Sequence, residues 1–62
     1  MSLSMALAID TDNAAFDGHV GAEVARIARA VADEAESGVV EGICRDCNGM
    51  KVGVWKIRLE AR

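Results

Sequence analysis

The chain has no proline and no tyrosine, and only one phenylalanine, one tryptophan, one histidine and two cysteines among 62 residues. Each scarcity narrows the field. Without proline, an internal repeat or a low-complexity stretch there is no sign of a linker, so residues 1–62 read as a single domain. The aromatics are limited to Phe16 and Trp55, and eleven alanines inflate an apolar fraction of 52%, so the core is thin. A domain this small buries only about 60% of the surface its unfolded chain exposes, and ordering its backbone costs roughly 1–2 kcal/mol per residue. Disulfides, a metal or oligomerisation are the usual remedies. No apolar run approaches the ~18 residues of a membrane span, and no segment has signal-peptide anatomy. This predicts a cytoplasmic protein with no membrane partner, whose two cysteines stay reduced.

A surplus of positive charge is also missing. The net charge of −3 argues against nucleic acid, because phosphate contacts need clustered cations. The distribution is uneven. Residues 1–41 hold eight acids and two bases (Arg26, Arg29), giving −6, whereas residues 42–62 hold two acids and five bases (Arg45, Lys51, Lys56, Arg58, Arg62), giving +3. A basic C-terminal segment keeps nucleic acid as an alternative partner.

Met1-Ser2-Leu3-Ser4, ahead of a second methionine, reads as an added leader without functional weight. Leu3, Met5, Leu7 and Ile9 alternate with Ser4, Ala6, Ala8 and Asp10, the period of a strand with one buried face. Thr11-Asp12-Asn13 ends it, and Asn13 is placed to cap a short turn over Ala14-Ala15-Phe16. Val20, Val24, Ile27, Val31 and Ala35, with Ala28 beside them, form the apolar stripe of an amphipathic helix. Glu23, Arg26, Arg29, Asp33 and Glu36 fall on its solvated side, where Glu23 can meet Arg26 and Arg29 can meet Asp33. Gly38 is placed to end the helix in the left-handed conformation. Beyond it, 39–46 and 50–59 read as strands flanking Cys47-Asn48-Gly49, since Asn-Gly between such runs is a strong hairpin signal. A two-residue turn pairs Asp46 with Lys51 and Glu41 with Lys56, the preferred register. A three-residue loop with Gly49 as a bulge moves every pairing by one. The expected fold is α+β, in the order β-α-β-β, with one helix packed on a three-stranded, mainly antiparallel sheet. The last strand lies in the middle, because a crossover from the first leaves a slot for it.

The candidate chemical sites are weak. Cys44 and Cys47 have the C-x-x-C spacing of half a zinc site or a redox dithiol. Zinc needs about four ligands, and these cysteines with His19 supply too few without a dimer. Residues three apart on a strand also point to opposite faces, and no helix follows to lower a thiol pKa. A buried structural Cys44 and a Cys47 near the hairpin tip fit better. Asp10-Thr11-Asp12 opens like a calcium loop, but Ala14 and Ala15 occupy the places that need an oxygen ligand and a glycine. His19 has no orienting partner or nucleophile in view, and Gly18-His19-Val20-Gly21 lacks the Lys-Ser/Thr of a phosphate loop. Trp55 among Lys51, Lys56, Arg58 and Arg62 offers base stacking beside cations. Parity puts Trp55, Ile57 and Leu59 on one face and Lys56 and Arg58 on the other, so a buried Trp55 is expected.

Asn13-Ala14-Ala15-Phe16, Glu23-Val24-Ala25-Arg26-Ile27 and Arg45-Asp46-x-Asn48-Gly49-x-x-Val52-Gly53 occur here in that order. Together they resemble a family of small uncharacterised bacterial proteins, many phage- or prophage-associated, that join N-A-A-F, E-V-A-R-I-L and a D-x-N-G hairpin. The resemblance covers most of residues 9–55 and carries no catalytic residues. It implies that Cys44 fills a core position where the family has leucine, and that Ala28, also at a leucine position, thins the core.

These readings converge on a non-enzymatic interaction or accessory protein, phage-derived by its resemblance, with no cofactor, acting through self-association or an unknown protein partner. The alternatives are a nucleic-acid module using the basic hairpin and a dimeric zinc protein through Cys44 and Cys47. Self-association, most simply as a homodimer, is expected through Ile43, Val52, Val54, Ala6 and Ala8 on the sheet face opposite the helix, or through an edge strand. Leu7, Ile9, Val40, Trp55 and Ile57 are expected on the helix side.

Overall fold

The computed structural model of the chain describes residues 2–12 and 14–60. It has the expected order: β1 (Ser2–Ile9), a 3-10 turn (Ala14–Phe16), α1 (Val20–Glu36), β2 (Glu41–Arg45) and β3 (Lys51–Glu60). β3 lies between β1 and β2 and is antiparallel to both. Ser2, Leu3 and Ser4, read from the sequence as leader, belong to β1 and pair with Glu60, Leu59 and Arg58. Asn13, the expected cap of the 3-10 turn, and Arg62 lie outside the described residues, as does the side chain of Leu59.

Alternating apolar residues on the strands and a 3.6-residue stripe on the helix meet in one cluster. Ile27 and Val31 of α1, Ala15 and Phe16 of the turn, Cys44 of β2, and Val52 and Trp55 of β3 are buried. Ile9, Val24, Ala35 and Ile57 pack around them. Val20 begins the stripe but stays largely exposed, and so does Val40, expected on the helix side. The helix ends as its sequence predicts. Gly38 takes φ +102°, the amide of Gly38 donates to Ala35 O, and that of Val39 donates to Glu34 O. These two bonds close the helix in a Schellman motif.

The hairpin combines both registers that the sequence allows. In its body Glu41 faces Lys56, Gly42 faces Trp55 and Ile43 faces Val54, as the preferred register requires. At the tip Arg45 faces Lys51, and Asp46 exchanges bonds with Met50: its amide donates to Met50 O and its Oδ1 accepts the Met50 amide. The loop is therefore Cys47-Asn48-Gly49, with Gly49 at φ +84°, the three-residue alternative. The shift falls between Cys44 and Arg45, whose partners are Gly53 and Lys51, so Val52 is the extra residue of a β-bulge. The expected pair Asp46–Lys51 does not form, and the bulge turns Val52 into the core, not onto the open face where strict alternation put it.

Two glycines are fixed by close approach. A Cβ on Gly42 would come within 2.8 Å of Trp55 Nε1, and one on Gly53 would collide with the carbonyl oxygen of Ala8 in β1. Gly53 therefore lets β1 lie against β3 at the bulge.

Candidate interaction surface

The most elaborate polar arrangement joins the helix to the hairpin loop. Glu23 is 6% exposed, although its heptad position marks it as solvated. Its carboxylate accepts from Arg26 Nε at 2.8 Å, Arg26 Nη2 at 3.0 Å and the Cys47 amide at 2.9 Å. Arg26 Nη2 also donates to Arg45 O at 3.0 Å. Hydrogen bonding from Arg26, reinforced by the Cys47 amide, holds the Glu23 carboxyl below its ordinary range against the opposing effect of desolvation. The same pairing with Glu23 raises the Arg26 pKa. Asp46, also buried, accepts from the Asn48 and Met50 amides at 2.9 Å each. Glu23 is engaged by the Arg26 guanidinium and the Cys47 amide, and Asp46 by two loop amides, so the arrangement braces the helix against the loop. The three-residue spacing of Glu23 and Arg26 was visible in the sequence. The approach of the loop that buries Glu23 was not.

The sequence-derived chemical candidates are not brought together. Cys44 is buried and Cys47 exposed, and neither is in a disulfide. Desolvation, and secondarily the Glu34 carboxylate, push the Cys44 thiol pKa up, away from the thiolate that metal binding or redox chemistry uses. Among the described residues no group of three His, Cys, Asp or Glu side chains could hold a metal. Asp10 accepts the Asp12 amide at 2.9 Å, a local turn at the end of β1. His19 is exposed in front of α1. Trp55 is buried and its Nε1 donates to Glu34 Oε1 at 3.2 Å. Since Phe16 is buried too, neither aromatic of the chain offers a stacking face. Lys56 and Arg58 are exposed, with Lys56 Nζ 3.8 Å from Glu41 Oε1.

Large apolar side chains also stand exposed on both faces of the sheet. The register sets Leu7 beside Trp55 and Met5 beside Ile57, on the helix side of the sheet. Among the described residues of β1 only Ile9 reaches the margin of the core cluster, because α1 packs over β2 and the 3-10 turn. Leu3, Met5 and Leu7 are left 69%, 53% and 39% exposed. On the other face Ala8, Val54 and Ile43 form a row across all three strands, with Val54 and Ile43 exposed. With Val52 removed to the core, the open-face patch is smaller than the sequence predicts, and the larger uncovered stripe belongs to β1.

No family model, curated protein or solved structure matches the chain. No helix among the described residues is long and apolar enough to cross a membrane.

Proposed function

We propose that this chain is a small non-enzymatic interaction protein of the cytoplasm that acts through its own apolar sheet surface, first by self-association and second by contact with a protein partner. One observation carries the reading: Leu3, Met5 and Leu7 form a contiguous apolar stripe that the chain's own helix does not cover. Contiguous exposed apolar surface on a small domain marks an interface, and a thin core without a disulfide gains most from one. The order of the N-A-A-F, E-V-A-R-I and D-x-N-G segments supports an accessory role of the phage-associated kind. The burial of both aromatics weighs against nucleic acid, and the burial of Cys44 beside an exposed Cys47 weighs against zinc.

Charge placed on the apolar surface tests this. Met5→Asp should weaken association in sedimentation velocity at matched concentrations, and Asp33→Ala on the exposed helix face should not. Identical behaviour of both variants and the parent chain would contradict the proposal.

A further inference from the structure

β1 is an edge strand, and its exposed backbone has a definite parity. The Asp10 amide donates to Val52 O at 2.7 Å, and the Ile57 amide donates to Val40 O at 2.8 Å. In the observed registers, both bonds require the even residues of β1 to turn their N–H and C=O groups toward β3. Those of Leu3, Met5, Leu7 and Ile9 then point to the outer edge. The same odd residues carry the exposed side chains of the stripe. Hydrogen-bonding direction and apolar face therefore coincide on one set of residues.

Sheet edges are normally protected by charge, proline, shortness or a bulge. β2 has several of these: it is five residues long, bears Glu41 and Arg45, and lies opposite the bulge. β1 has none, being eight residues without charge or proline. We infer that the outer edge of β1 pairs antiparallel with β1 of a second copy, about a two-fold axis at Met5, to give one continuous six-stranded sheet. This rests on the reading of the chain as self-associating and specifies where it does so.

A second copy fits this edge for three reasons. Antiparallel pairing about an axis perpendicular to the sheet keeps the same face up in both copies, so odd residues meet odd residues and both helices lie on one side. Centring on Met5 opposes Met5 to its counterpart and Leu3 to Leu7 of the other copy, which brings the two stripes side by side. No charge lies between Ser2 and Ile9, so two identical edges meet without repulsion. Pairing also limits itself: the edges left over are the two copies of β2, short, charged and opposite the bulge in β3, and the assembly closes as a dimer.

Disulfide trapping in the full chain, with Cys47→Ser to remove the exposed native thiol, tests the register. A hydrogen-bonded antiparallel pair has Cα atoms about 5.5 Å apart, inside the about 4.4–6.8 Å that a disulfide spans. Met5→Cys should therefore convert most of the chain to a covalent dimer under mild oxidation, while Leu3→Cys, facing Leu7, should remain largely monomeric on a non-reducing gel. Met5→Pro is the second variant. It removes an outward amide and no bond to β3, so the circular dichroism should persist while the dimer is lost. A parent chain that dimerises, with no trapping at Met5→Cys or equal trapping at Leu3→Cys, overturns the β1 interface and leaves self-association standing. A parent chain that stays monomeric at high micromolar concentration overturns both.

Discussion

Three N–H groups converge on the Glu23 carboxylate, two from Arg26 and one from the Cys47 backbone, and this makes its charge part of the fold. Its pKa is lowered from the ordinary 4.5. Above that value folded and unfolded chains both carry the charge, and the full contribution to stability is present. As pH falls, the unfolded carboxyl takes up its proton first, and the contribution drains away until the folded carboxyl is protonated too. Glu23→Gln should therefore lower the melting temperature at neutral pH and flatten its decline on acidification past 4.5. An unchanged profile would mean the brace contributes nothing. The cysteines separate in the same way. Cys44→Ala should cost on the order of 1 kcal/mol or more through lost packing, whereas Cys47→Ser should be near neutral in chemical denaturation. Maleimide labelling of the native chain should modify Cys47 quickly and Cys44 only on unfolding. The burial of Cys44 was legible from its strand position. That of Glu23 was not, because helical periodicity describes what the helix shows to the sheet and is silent on a loop folding back across its first turns.

At the scale of elements, period two and period 3.6 were enough to place the helix, three strands and the chain reversals. Gly38 and Gly49 were legible because a positive φ leaves few choices of residue. The hairpin register was not. Glu41–Lys56 pairing and the Cys47-Asn48-Gly49 loop each have sequence support, and strict alternation cannot hold both. One inserted residue, Val52, reconciles them and reverses its own face. Asp46→Ala, which strips two backbone amides in the loop of their acceptor, should destabilise the chain by about 1–3 kcal/mol. Gly53→Ala should be more damaging than Gly42→Ala in thermal unfolding. Its Cβ meets the β1 backbone, which cannot yield without losing the β1–β3 pairing, while at Gly42 the obstacle is the Trp55 side chain. The reverse order would mean that β1 is not held as closely as the register requires.

For the whole molecule, one helix cannot cover three strands. The chain extends over 43 × 21 × 17 Å, with α1 packed against β2 and β1 reaching past the core. The sequence showed a surplus of apolar strand positions, which is why self-association was expected from it. It did not show which positions would be left over, because that depends on the bulge at Val52 and on which strand the helix rests against. Self-association depends on that uncovered surface, so oligomeric state in solution is the most direct measurement. Sedimentation equilibrium of the parent chain from low to high micromolar concentration should give a reversible monomer–dimer equilibrium that moves toward dimer and stops there. A well-folded chain that remains a monomer throughout that range would contradict the account.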